Sequence, residues 1–223
     1  MESISGKPIN SKSVQKSLII GITGGSGSGK TGIAKDLVKY FNSTASLLAL
    51  DNYYYPIEKQ PRDKNGRPNF DLPESLNLTG FYEDLILLSS GNNITQPEYT
   101  FNNIERIPKT ITVRHNPVII VEGLFIFHLP ELLPLYDLKI FIDVEENLKL
   151  ERRLIRDVKT RGYSKDDVEY CHVNHVLPSY ISFIEKQKSI ADLILSNNSD
   201  YQTSFETLID FLKSKLDPTF FVK

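Results

Sequence analysis

Eight residues, Gly24-Gly25-Ser26-Gly27-Ser28-Gly29-Lys30-Thr31, follow the spacing G-x-x-x-x-G-K-[ST]. Glycines at these places let the backbone turn its N–H groups inward around phosphate oxygens, which a bulkier chain could not do. Lys30 would reach the β and γ phosphates and the Thr31 hydroxyl would bind Mg²⁺. A helix opening at Gly29 would add its positive end to the same anion. A flexible Gly/Ser turn is the plain alternative. The apolar run before it and the helical rhythm after it favour a site for ATP with Mg²⁺.

Three acids follow apolar runs. Asp51 comes after residues 46 to 50, where a carboxylate would face the γ-phosphate and accept a proton from an attacking hydroxyl. A turn or helix cap would use the same residue. Glu122 ends Val118-Ile119-Ile120-Val121 and suits a Mg²⁺ ligand, directly or through water. Asp143 reads as structural. Arg152, Arg153, Arg156 and Arg161 crowd ten positions, with 152/156 and 153/156 sharing helix faces. Glu151 and Asp157 could pair with them in an ordinary solvated helix. The alternative is a lid whose guanidiniums close over the phosphates, with Gly162 as its flexible point.

These residues need elements to hold them. Short apolar strands are expected at 18–23, 46–50, 117–121, 138–142 and 191–195. Helical periodicity covers 29–41, 77–90, 146–161, 166–188 and 201–216, and 94–113 reads as a β-hairpin. Residues 52–73, with Pro56, Pro61, Pro68 and Pro73, read as a long functional loop. Alternating strands and helices imply a parallel sheet covered on both faces, with ligands beyond its carboxyl edge. Residues 1–16 read as a flexible leader, and 17–223 as one domain with a lid at about 152–170.

The bulk composition sets limits. The 223 residues are 40% hydrophobic and 24% charged, with 26 basic and 28 acidic side chains and a net charge of −2. That balance argues against non-specific nucleic-acid binding, while the phosphate loop and Asp51 imply a small-molecule substrate. The single cysteine, Cys171, excludes an internal disulfide. Neither a secretory leader nor an apolar run of roughly 20 residues is present, so a cytoplasmic location with no membrane partner is expected. A homo-oligomer is compatible with all of this. Cys171, His172 and His175 lie close together, but a zinc site would want a further ligand pair and none is spaced for it.

The chain resembles the uridine kinase (uridine–cytidine kinase) family, with phosphoribulokinases as more distant relatives. The markers are the glycine-rich stretch at 21–31, Asp-Asn-Tyr-Tyr at 51–54, Asn-Phe-Asp-x-Pro at 69–73 and Pro-x-Tyr-x-Phe at 97–101. Val-Glu-Gly at 121–123, Arg-Arg-x-x-Arg-Asp-Val at 152–158, Arg-Gly at 161–162 and Ala-Asp-Leu-Ile at 191–194 complete them. The resemblance implies an α/β, P-loop NTPase-type three-layer fold with a central parallel sheet, a small β-hairpin at the acceptor site and a helical lid. It implies ATP-dependent phosphorylation of a nucleoside 5′-hydroxyl, uridine or cytidine first. By the same resemblance Asp51 is the base, Asp71 accepts from a ribose hydroxyl, and Tyr54, Phe70, Tyr99, Phe101 and Arg106 line the nucleoside pocket. Arg153, Arg156 and Arg161 correspond to phosphate-side arginines. The aromatic residues would equally suit ordinary packing. Four positions depart from the family's pattern: Leu72 and Ile104 replace histidines, Tyr163 an arginine and Cys171 a glutamine. Another acceptor (a sugar phosphate, a pantothenate-like acid or another ribosyl compound) therefore stays open. So does a non-catalytic nucleotide switch, although the Asn-Lys-x-Asp signature of GTPase-type switches does not occur.

Overall fold

Leu18–Gly24 carries no charged residue and is buried throughout, and it forms β1 at the centre of a five-stranded sheet. The computed structural model describes residues 16–101 and 107–221. After β1 come α1 (Lys30–Tyr40), β2 (Ala45–Ala49), α2 (Leu78–Ser89), β3 (Ile94–Pro97) and β4 (Thr110–Val113). Then follow β5 (Val118–Glu122), β6 (Leu138–Asp143), α3 (Glu146–Arg161), α4 (Lys165–Cys171), α5 (Leu177–Ser179), β7 (Leu193–Ser196) and α6 (Tyr201–Lys215). The sheet order is β2-β5-β1-β6-β7, all parallel, while β3 and β4 pair as a separate antiparallel hairpin.

Alternation along the strands builds a core on each face. Ile19 of β1, Ile119 and Val121 of β5 and Phe141 of β6 join one core with Phe81, Leu85 and Leu88 of α2. Leu18, Ile20 and Ile22, with Val118, Ile120, Ile140 and Ile142, join the other with α1 and α6. Register enforces this: Ile20 pairs with Ile120 on one side and Leu138 on the other. Burying each such side chain contributes about 1.5–3 kcal/mol, so a one-residue slip would expose a whole face.

Local chemistry sets the helix ends. Asn77 caps α2 by accepting from Gly80 N–H, and Ser164 caps α4 by accepting from Asp167 N–H. Gly162 closes α3 with φ 75°, a left-handed C-terminal turn that any side chain would strain.

Three elements differ from the sequence expectation. β2 runs Ala45–Ala49, so Leu50 leaves the strand and, with Asp51, lies in a 3₁₀ turn (Leu50–Tyr53). The expected helix at 166–188 is divided. α4 passes into a π-helical stretch (His172–Val176), then α5, a second π-helical stretch (Tyr180–Ile184) and a 3₁₀ end (Glu185–Ile190). Pro178 has no N–H to donate and crowds the carbonyl four residues back, so the turns on either side widen. The loop at 52–73 contains 3₁₀ turns at Ile57–Lys59 and Pro73–Ser75 and bridges from Tyr54 to Leu76 and from Arg62 to Pro68. The leader residues 1–15, and Ile104 and Arg106 in the hairpin connection, lie outside the described residues. Among the described residues no helix is long and apolar enough to cross a membrane.

The turn bearing Asp51 is pinned by its neighbour. Tyr53 packs edge-to-face on Phe81 with ring centroids 5.2 Å apart, and its hydroxyl donates to Asp84 at 2.7 Å. Phe81 is fully buried, so Phe81→Ala should lower the unfolding free energy by about 3–5 kcal/mol in denaturant titrations. A loss below about 1 kcal/mol would mean that the cavity collapses and the pin is weak.

Candidate active site

Between β1 and α1 the chain makes the tight loop at 24–30, closed by Ser28 N–H donating to Gly25 carbonyl at 3.1 Å. Gly27 has φ 86°, and a Cβ there would collide with the Lys149 backbone of α3. The loop is thus seated directly on α3. Lys149 itself is buried, with Nζ 3.5 Å from the Tyr180 ring centre and 2.7 Å from Glu146. Asn197, after β7, donates to Ser28 carbonyl at 2.9 Å. Ser28 Oγ is buried without a hydrogen-bond partner among the described residues, as suits a hydroxyl lining an anion cradle.

Lys30 opens α1 and is 7% exposed. Burial lowers its pKa, while the charges of Glu122 and Asp51 oppose that shift. Glu122, at the end of β5, is 1% exposed, and its two carboxylate oxygens accept from Thr31 Oγ1 at 3.2 and 3.3 Å. Burial, reinforced by the charge of Asp51, pushes the Glu122 carboxyl up. A hydroxyl and a carboxylate, with a second carboxylate at hand, form a hard oxygen set that fits Mg²⁺. Among the described residues no three His, Cys, Asp or Glu gather around a metal position. Mg²⁺ needs only one or two carboxylates where phosphate and water complete its shell.

The arginines of α3 converge on one carboxylate. Asp157, 2% exposed, lies 3.2 Å from Arg153 Nε, 2.8 Å from Arg156 Nε and 3.1 Å from Arg161 Nη1. Burial works against the charge of Asp157, but the hydrogen bond from Arg156 and the three positive charges outweigh it and hold the carboxyl below its usual range. Two of the guanidiniums, those of Arg153 and Arg156, extend from this hub to the phosphate loop. Arg153 donates to Ser26 Oγ at 3.2 Å and reaches Asp71 at 3.5 Å, and Arg156 lies 3.5 Å from Ser26 Oγ.

A cavity of about 370 Å³ opens beside these groups. Its walls include Ser26, Lys30, Asp51 and Asp71 together with Arg153, Arg156 and Arg161. Four aromatic residues run through it in a chain. Phe70 meets Tyr54 at 6.0 Å, Tyr54 meets Tyr99 at 5.2 Å and Tyr99 meets Phe101 at 5.1 Å between ring centres. The chain ends with Arg161, whose guanidinium carbon lies 3.7 Å from the Phe101 ring centre. Burial, and the charges of Asp51 and Asp71, push the Tyr54 hydroxyl up, so it remains a donor. Asn52 accepts from Tyr99 N–H at 3.1 Å, tying the Asp51 turn to the hairpin. Phe101 adopts φ 55°, a conformation disfavoured for a bulky residue and characteristic of functional loops.

The residues expected from the sequence therefore gather at one place, Arg106 excepted, which lies outside the described residues. Asp143 stays apart, paired with Lys188 at 2.9 Å. Tyr163 and Cys171 line the cavity, and Leu72 is absent from its walls. Asp157, expected only as a salt-bridge partner in an ordinary solvated helix, does pair with the arginines but is buried as part of this site. Its distances of four, one and four residues from Arg153, Arg156 and Arg161 were the available signal.

Comparisons with known proteins agree on the family. Residues 19–204 match the model described as the phosphoribulokinase / uridine kinase family. A uridine kinase of Oceanobacillus iheyensis is 34% identical over 204 residues, covering 91% of this chain and 95% of that protein. Uridine-cytidine kinase B of Dictyostelium discoideum is 32% identical over 199 residues, covering 89% and 82%. Phosphoribulokinase from Rhodobacter spheroides shares the fold with a TM-score of 0.63 at 20% identity, over 85% of this chain and 74% of that one. The chain belongs to the phosphoribulokinase / uridine kinase family and is a phosphotransferase acting on a hydroxyl group.

Proposed function

We propose that the protein transfers the γ-phosphoryl group of ATP to the 5′-hydroxyl of a nucleoside, uridine or cytidine foremost. The observation that carries this reading is one cavity lined by Asp51, Lys30 and three arginines together with Asp71 and a chain of aromatic rings. The rings suit a flat base, and the Asp71 carboxylate suits a ribose diol. Asp51 takes the proton of the attacking hydroxyl, whose oxygen bonds to the γ-phosphorus as the bridging bond to ADP breaks. Lys30, Arg153, Arg156 and Arg161 meet the charge spreading over the transferred group. Backbone and side chains of Gly24 to Thr31 hold the ATP phosphates. Thr31 and Glu122 would hold Mg²⁺, which would supply positive charge against the phosphates.

The segment at about 152–170 covers the phosphate side as a lid, with Gly162 as the left-handed turn between α3 and α4. Asp71 is 3.5 Å from Arg153, so an acceptor hydroxyl taking that carboxylate also reorients a phosphate-side arginine. A second reading keeps the chemistry and changes the acceptor to a sugar phosphate, a pantothenate-like acid or another ribosyl compound. It is favoured by Cys171, whose thiol is pushed up by burial and offers the acceptor little as a hydrogen-bonding group. The free cysteine suits the cytoplasm.

An ATP-consumption screen over uridine, cytidine, other nucleosides, sugar phosphates and pantothenate tests the acceptor; turnover raised by none of them sinks the metabolite-kinase reading. Asp51→Asn should lower kcat by about 10²–10⁴-fold while ATP affinity stays within about twofold. Near-normal turnover in that variant would remove Asp51 as base. Asp157→Asn leaves three guanidiniums facing one another without their shared anion. It should cost roughly 2–4 kcal/mol in urea unfolding, discounted from a fully buried pair because Arg156 is partly solvated. It should also lower kcat more than it raises the KM for ATP.

A further inference from the structure

The turn at 63–67 is built around one carboxylate. Asp63 Oδ1 accepts from the N–H groups of Asn65 and Arg67 at 2.8 and 2.9 Å. Its other oxygen, Oδ2, accepts from Tyr170 Oη at 2.7 Å and meets His175 Nε2 at 2.8 Å, more than a hundred residues along the chain. Further contacts cross the same gap. Asn65 Nδ2 donates to Tyr170 Oη at 2.5 Å, Arg67 pairs with Asp167 at 3.0 Å, and the Arg67 guanidinium carbon lies 4.0 Å from the Tyr170 ring centre. His175 is 2% exposed, so this is a seated contact and not a passing surface pair. The hydrogen bonds from Tyr170 and His175 hold the Asp63 carboxyl well below its usual range, against the opposing effect of its burial.

Both sides of the joint are walls of the cavity. Arg67 and Pro68 come from the loop, and Val168, Cys171 and His175 come from α4 and the first π-helical stretch. The polar groups of the joint are spent largely on one another, so its stiffness, more than new hydrogen bonds, is what it offers an acceptor.

We propose that Asp63 is a positioning residue that latches the 63–67 turn to α4 and so sets the size of acceptor that the cavity admits. This rests on the acceptor reading given above. A closed latch fixes the wall formed by Pro68, Val168 and Cys171; a loosened one lets it spread, weakening small acceptors and admitting larger ones. Among the described residues, the phosphate loop and the Asp157 hub make no hydrogen bond or ion pair to the latch.

The test is steady-state kinetics of Asp63→Ala, Tyr170→Phe and the double variant, using ATP and the best acceptor from the screen. Asp63→Ala should raise the acceptor KM about tenfold, with kcat and the KM for ATP within about twofold. Its kcat/KM preference for that acceptor over a bulkier analogue (a purine nucleoside, if the acceptor is a pyrimidine one) should fall at least about fivefold. Tyr170→Phe should raise the acceptor KM about threefold alone and clearly less than that in the Asp63→Ala background, where its hydroxyl keeps only the bond from Asn65. An unchanged acceptor KM and preference in folded Asp63→Ala, or independent multiplying effects in the double variant, overturn the proposal. If no nucleoside is phosphorylated, the nucleoside reading fails by itself. Amide exchange over 165–176 in Tyr170→Phe then decides the latch, about tenfold faster supporting it and unchanged exchange refuting it.

Discussion

A lysine ammonium buried at the mouth of a helix is tolerable only when anions stand close by, and much of this architecture supplies them to Lys30. The helix end is itself positive, so α1 does nothing to relieve the charge. Glu122 and Asp51 do. For Glu122 to arrive, β5 must lie beside β1 in the register that pairs Ile22 with Glu122. For Asp51 to arrive, β2 must flank β5 and the turn beyond it must be held by Tyr53 on Phe81. The two apolar cores hold that register, and the charge arrangement at the sheet's carboxyl edge follows from it.

The second concentration of charge is handled differently. Three guanidiniums on one helix would repel one another, and α3 meets this with an anion inside its own turn spacing. Asp157 gathers all three, while Arg153 and Arg156 also reach Ser26, Arg153 nears Asp71, and Arg161 lies on the Phe101 ring. The cavity is thus lined with cations already oriented before any phosphate arrives. Such preorganisation removes a reorganisation cost that water would otherwise impose at the moment of transfer.

What could be read from the sequence divides by the range of the interaction. The phosphate loop was legible because its glycines, Lys30 and Thr31 act within eight residues and follow an apolar strand. The sheet and hairpin were legible from β-branched runs. The aromatic chain and Asp71 came from resemblance, since nothing in residues 54, 70, 99 and 101 reveals that their rings touch. The Asp63 joint could not be foreseen, because its partners lie 107 and 112 positions away. The π-helical stretches escaped because periodicity arguments assume 3.6 residues per turn; Pro178 was the only warning.

Those two wide turns have a consequence of phase. Each π-helical turn takes up an additional residue, which rotates everything downstream by roughly 100° relative to a regular helix. The offset allows one continuous helical path to show Val168, Cys171 and His175 to the cavity and then Tyr180 and Ile184 to the sheet's core. The helical stretch between α3 and β7 therefore works as a gear with two sets of teeth cut at different angles. Its irregular turns are what let the acceptor wall and the apolar interior be adjusted separately in one short length of chain.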